Sequence, residues 1–197
     1  MRVRPLTDHP PRPERAYILY WMIAARRLRS NLALERAVTL AREHRVPLVI
    51  FEPLRAGYRW ANDRLHRFVI DGMADHARAL TGTPVTYLPY VEPKAGDGRG
   101  LLAALARHAV AVVTDDYPAF FLPRMLAAAA RQVDTQFDAV DSNGLLPMRA
   151  SGREFVTAFS HRAYIQQHFR AHLRDWPAPI LFDDLPRLAA LPAGLDR

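Results

Sequence analysis

Short apolar segments recur along this chain, and a segment with helical periodicity follows each of the first four. The strand-like segments lack polar–apolar alternation and comprise residues 16–22, 46–51, 85–90, 110–114 and 136–140. Strands that are apolar on both faces need cover on both faces, which is typical of parallel sheets flanked by helices. The sequence therefore predicts an α/β fold with a Rossmann-like, doubly wound sheet of five parallel strands joined by right-handed crossovers.

Between these strands, apolar residues recur at helical spacing. The predicted helices cover residues 30–44, 63–80, 101–108 and 122–133. Ser30 or Asn31 is the expected N-cap of the first helix, because both side chains accept hydrogen bonds from the first-turn amides. After residue 141 the strand–helix alternation stops, and only residues 155–173 are predicted to be helical.

These patterns divide the chain into three segments. Residues 1–15 contain four prolines among charged residues. We expect this segment to be flexible, because proline fixes φ and removes an N–H donor. Residues 16–145 are predicted to form the α/β domain. Residues 146–197 are predicted to be a linker with a helix and an irregular tail.

Composition narrows the class of protein. The 197 residues carry a net charge of +7, with one lysine among 27 basic residues, but the charge is spread along the chain. Without a basic stripe interleaved with aromatics, direct nucleic-acid binding by this segment alone is not favoured. The chain has no cysteine, which excludes disulfides and thiolate metal sites. No apolar run reaches the roughly 20 residues of a membrane span, and no secretory signal is recognisable, so we expect a cytoplasmic protein.

Ligands of doubly wound sheets bind outside the carboxyl ends of the strands. Aromatic, thioether, acidic and amide side chains occupy those ends here, and this mixture suits a flat, partly apolar ring better than a polyphosphate. The candidate ligand-binding residues are Trp21, Met22, Phe51, Asp115, Asp116, Tyr117 and Asn143. The alternative is that the acids cap the following helices and the aromatics close the sheet edge.

Other motifs give weaker signals. Residues 96–100 resemble a dinucleotide-binding glycine loop, but they follow the third predicted strand instead of the first, so we interpret them as a flexible turn. His161, His168 and His172 share one helical face, but no carboxylate accompanies them, and we predict no metal site. Asp115 and Asp116 are adjacent, so their side chains diverge on an extended segment and do not form a paired acid and base. We therefore predict no catalytic residue.

Four blocks of sequence follow one another in a fixed order. The first is residues 17–22, with Arg26-Arg27 and residues 31–34 behind it, and the others are residues 64–73, 113–117 and 140–147. In order and spacing, these blocks resemble the N-terminal part of the class II cyclobutane pyrimidine dimer photolyases. The resemblance covers about residues 16–165.

This resemblance implies an antenna domain that carries a light-harvesting chromophore such as a deazaflavin. In the family, this domain packs against an all-helical domain that holds FAD and the damaged DNA. The chain ends before the position of that helical domain, which implies a truncated photolyase, a split enzyme or a domain that works alone. The carbon–carbon lyase activity of the family would then require the helical domain, in the same chain or in another one.

Two other functions remain open on the same fold. One is a stand-alone nucleotide-binding module, and the other is a module that only docks a partner protein. Both are compatible with the sequence, because doubly wound sheets host many functions.

Overall fold

The predicted strands form a single sheet, and helices cover both of its faces. The computed structural model describes residues 2–174 and 177–195. In chain order, the elements are β1 (Val3–Pro5), β2 (Tyr17–Trp21), α1 (Leu32–His44), β3 (Leu48–Leu54), α2 (Asp63–Leu80), β4 (Thr86–Val91), α3 (Leu101–Ala106), β5 (Ala109–Asp115), α4 (Leu122–Ala130), β6 (Gln136–Val140) and α5 (Ala158–His168), followed by a 3₁₀ turn (Phe169–His172).

The strand order of the sheet is β1-β6-β5-β2-β3-β4. Strands β2 to β6 are parallel to their neighbours, and β1 pairs with β6 in the antiparallel direction. From β2 the chain first builds the sheet towards β4, then returns to β5 on the other side of β2. This reversal of direction opens a crevice between the carboxyl ends of β2 and β5, the usual place for a ligand in such sheets.

The sheet has six strands, so the prediction of five was wrong by one. The additional strand lies within residues 1–15, which the prolines had led us to expect as flexible. Leu6 N donates to Phe137 O, and Asp141 N donates to Arg2 O. The backbone hydrogen-bonding groups of the even-numbered residues in and around β1 therefore point towards β6. Pro5 lies between them, and its nitrogen faces away from the sheet. An edge strand tolerates proline in that position.

The two faces of the sheet bury separate clusters. Ile18, Tyr20 and Met22 pack with α1 on one face, whereas Tyr17, Leu19 and Trp21 pack with α3 and α4 on the other. Side chains alternate along a strand, so the adjacent Trp21 and Met22 lie on opposite faces of the sheet.

The chain after residue 177 is irregular, but it packs on both faces of the domain. Ile180, Phe182 and Leu185 contact the cluster beneath α1, and Leu188 and Leu191 contact the cluster on the opposite face. Helix α5, by contrast, has no buried residue. Within residues 2–174 and 177–195, every helix is too short or too polar to cross a membrane.

Candidate functional site

Asp115 organises the loop that follows β2. Its Oδ2 accepts hydrogen bonds from the backbone N–H groups of Ile23, Ala24 and Ala25, at 2.9, 2.7 and 3.0 Å. Its Oδ1 accepts from the Tyr20 hydroxyl at 2.7 Å. Burial, followed by the Asp115 charge, raises the pKa of Tyr20, which keeps the phenol protonated as a donor. The Asp115 carboxylate is thus occupied by the protein itself.

Asn31 extends this network and caps helix α1. Its Oδ1 accepts from the N–H groups of Ala33 and Leu34 at 3.0 and 3.1 Å, which satisfies two first-turn donors. Its Nδ2 lies 2.9 Å from the Tyr20 hydroxyl oxygen. Sequence reasoning anticipated the cap but missed the link to Asp115, which depends on β2 and β5 being neighbours in the sheet.

Asp116 and Asn143 are also bonded within the protein. Arg4 and Arg149 both donate to the Asp116 carboxylate, with the closest contact of each at 3.1 and 3.0 Å. Burial opposes ionisation of Asp116, but the hydrogen bonds from these arginines outweigh it and lower its pKa. Asn143 donates from Nδ2 to Asp116 O at 3.0 Å.

Asp116, Arg4 and Arg149 border a cavity of about 510 Å³. Tyr117 is partly buried beside them.

A larger cavity of about 740 Å³ opens at the carboxyl ends of β2, β3 and β4. Of the seven candidate residues, Trp21 and Phe51 line it, and both are buried. Met22 is absent from the lining because it faces the opposite side of the sheet. Further side chains from β4, the loops and α4 complete the lining, and they include Tyr58, Tyr90, Phe120, Phe121, Leu122 and Met125.

Trp21 carries a polar group that the protein leaves unsatisfied. Its indole N–H has no hydrogen-bond partner among the described residues, although the side chain is only 5% exposed. Buried donors are nearly always paired, so an unpaired one beside a cavity points to a missing acceptor.

Two aromatic contacts join the loops on either side of this cavity. The rings of Tyr58 and Phe121, both in the lining, lie 6.2 Å apart, and those of Trp60 and Phe120 lie 5.5 Å apart. Phe120 adopts a φ of 59°, which is unfavourable for a residue with a side chain. The aromatic pairs hold these loops against each other, and sequence reasoning did not identify them.

Glu52 lies beside the cavity and is nearly fully buried. It accepts hydrogen bonds from Arg26 at 2.9 Å and from Tyr87 at 2.7 Å, and it contacts His76 Nδ1 at 2.8 Å. Burial opposes ionisation of Glu52, but these hydrogen bonds and the Arg26 charge outweigh it and lower its pKa. The cluster fixes Arg26, which itself lines the cavity. Its members come from four separate segments, so sequence spacing could not reveal it.

Glu92 holds the glycine-rich loop that sequence reasoning interpreted as a flexible turn. Its carboxylate accepts from the backbone N–H groups of Ala56, Gly96 and Gly98 at 2.8, 2.9 and 3.2 Å. A Cβ on Gly98 would lie 3.1 Å from the Tyr90 ring, so glycine permits this close approach. The loop therefore wraps around a carboxylate of the protein.

No family model matches the chain. It is 29% identical over 170 residues to the deoxyribodipyrimidine photo-lyase of Methanothermobacter thermautotrophicus. This similarity supports a photolyase-family relationship. The matched region is 86% of this chain, and the chain spans about 37% of the photo-lyase. The predicted resemblance to photolyases is thus supported by one distant relative.

The lining residues indicate what kind of ligand the two cavities suit. Neither of them adjoins a candidate metal centre, because no three His, Asp or Glu side chains cluster suitably within residues 2–174 and 177–195. The larger cavity combines apolar and aromatic walls with a few polar groups, which is the usual character of a small-molecule site. An arrangement of this kind can bind a small molecule with a flat ring and orient that ring.

Proposed function

We propose that this chain is the antenna domain of a class II photolyase-type DNA-repair flavoprotein. In this proposal, the 740 Å³ cavity binds a deazaflavin light-harvesting chromophore. The observation that carries it is the pairing of a photolyase relative with an aromatic-lined cavity at the carboxyl ends of the strands. The domain is not catalytic by itself, and its task is to hold the chromophore in a fixed orientation.

The buried aromatics give the cavity the properties that such a task needs. Trp21 and Phe51 are held by the sheet, at 5% and 3% exposure, so they form a fixed part of the wall against which a ring would lie. Energy transfer depends on the relative orientation of donor and acceptor, and a rigid wall maintains it. The unpaired indole N–H of Trp21 adds a donor for a carbonyl oxygen of the ring system after a small adjustment.

The remaining candidate residues support the site from outside the cavity. Asp115 fixes the loop after β2 through three backbone N–H groups, and this loop carries Ile23 and Arg26 into the lining. Asp116 and Asn143 tie the β5–α4 connection to the segment after β6. Met22 contributes to the packing of α1. We therefore assign direct contact with the chromophore to Trp21 and Phe51.

We further propose that the chain works with a helical FAD-binding domain, supplied in cis or in trans. Damaged DNA would bind through that domain. The surface near Arg26 and Arg27 is the proposed docking face, because it adjoins the chromophore cavity at Arg26. The C-terminal tail is bonded at the opposite edge of the sheet, where Asp184 pairs with Arg42 and Arg187 donates to Gly82 O. Proximity between the two cofactors is what an antenna requires.

Titration with 5-deazariboflavin, followed by visible absorption and fluorescence, tests the site. Trp21→Ala should weaken binding by about 5- to 150-fold, because stacking of a flat ring on an aromatic side chain contributes about 1–3 kcal/mol. Trp21→Phe retains a ring and tests whether the protein still folds and binds. Phe159→Ala, at an exposed aromatic of α5, should leave affinity unchanged.

The proposal fails if the wild-type chain does not bind 5-deazariboflavin, or if Trp21→Ala binds it as tightly as the wild type. Tight binding of AMP or ATP by a chain that ignores the deazaflavin would favour the nucleotide-binding module instead.

A further inference from the structure

The outer part of the large cavity carries two exposed arginines whose side chains are not hydrogen-bonded within the described residues. Arg55 follows β3, and Arg99 precedes α3; both are exposed and both line the cavity. Neither side chain makes a hydrogen bond or a salt bridge with any residue in the part of the chain that the structure describes. A guanidinium has five N–H donors, so the two side chains offer ten donors at this rim.

The two loops that carry these arginines are fastened together. Ala56 N donates to Glu92 Oε2 at 2.8 Å, which links the segment after β3 to the end of β4. Gly57 packs so closely on Ala95 that a Cβ added to Gly57 would lie 2.8 Å from the Ala95 Cβ. The relative position of Arg55 and Arg99 is therefore set by the fold.

The charges around the cavity do not cancel. The lining contains three arginines and one glutamate. Arg26 is neutralised by Glu52, which lies behind the wall. Glu92 turns its carboxylate into the loop, where three backbone N–H groups occupy it. Three positive and two negative charges, including that of Glu52, leave a net charge of +1. The charge of Arg55 helps to lower the pKa of Glu92, but among the described residues neither Arg55 nor Arg99 forms a salt bridge.

We propose that the ligand of this cavity carries a phosphate group, which Arg55 and Arg99 bind while the ring lies against Trp21 and Phe51. This inference rests on the proposed chromophore site and specifies the chemical class of its ligand. Two separate guanidiniums match the three terminal oxygens of a phosphate, whereas one guanidinium suffices for a carboxylate. The buried aromatics and the exposed arginines place the ring inside and the phosphate at the rim.

The test compares 5-deazariboflavin with its 5′-phosphate, because the two share the ring and differ in the anionic group. The wild-type chain should bind the phosphate form about tenfold more tightly at low salt, since charge-assisted contacts at exposed sites are individually modest. The preference should shrink as NaCl rises from about 0.05 to about 0.5 M, because salt screens exposed charges.

Substitution of the two arginines tests whether they bind the phosphate group. The double variant Arg55→Gln/Arg99→Gln should lose the preference for the phosphate form and keep its affinity for 5-deazariboflavin. Arg107→Gln is the matched control, because Arg107 is exposed and lies just before β5, at the amino-terminal edge of the sheet. It should retain the full preference.

Equal affinity for the two compounds, or a preference that survives the double substitution, would overturn the inference and leave the chromophore site intact. If neither compound binds, both the inference and the proposed function fail.

Discussion

At the scale of single residues, the carboxylates at the strand ends hold the protein together. Asp115 is 2% exposed, and a hydroxyl and three backbone N–H groups donate to it. Adjacent Asp116 joins Arg4 to Arg149. The sequence placed both acids at the carboxyl end of the fourth apolar segment, which forms β5, and that is where they lie. Their partners could not be predicted, because they belong to segments that only the folded sheet brings together.

Asp115→Asn should reduce the free energy of unfolding by about 2–4 kcal/mol, because an amide N–H₂ would face donors and leave buried N–H groups unpaired. Urea unfolding measures the change. Asp75→Asn, at an exposed ion pair with Arg78, should change it by less than about 0.5 kcal/mol. A loss below about 1 kcal/mol for Asp115→Asn would contradict the structural role of this carboxylate.

At the scale of elements, the apolar segments predicted the five parallel strands, whereas β1 and the packed tail escaped prediction. Residues 3–5 form a strand because β6 offers a free edge, and that requirement is invisible in a proline-containing local sequence. The segment before β2 is also tied down. Arg15 makes a bidentate salt bridge to Asp134, just ahead of β6, at 2.8 and 2.7 Å.

The Arg15–Asp134 pair should contribute to the pH dependence of stability. The hydrogen bonds from Arg15 lower the pKa of Asp134 from its ordinary value of 3.8 to about 2. A carboxyl whose pKa is lower in the folded state stabilises the protein above its unfolded pKa, and this contribution disappears as pH falls through the folded pKa.

Asp134→Asn should therefore be less stable than the wild type by about 1 kcal/mol at pH 5, a value reduced by the solvent exposure of the pair. The difference should shrink as the pH falls below about 4 and disappear only as the pH falls through about 2. Urea unfolding at several pH values measures it. A difference that stays constant across this range would show that the ion pair is not its source.

At the scale of the whole molecule, the fold separates a rigid wall from an open rim. The sheet buries Trp21 and Phe51, while the loops after β3, β4 and β5 surround the cavity and leave arginines exposed. Sequence reasoning found the wall, because both aromatics end apolar strands. It missed the rim, because Tyr58, Arg99 and Phe120 line one cavity only when three separate loops come together.

The central claim is that the larger cavity binds a flat chromophore, and a pair of neighbouring substitutions tests it most directly. Ala128 lines the larger cavity and Ala127 lines the smaller one, and both lie on α4. Calorimetric titration with 5-deazariboflavin should show one site per chain, with affinity reduced in Ala128→Leu, whose larger side chain extends into the cavity, and retained in Ala127→Leu. Unchanged binding in Ala128→Leu, or loss only in Ala127→Leu, would contradict the account.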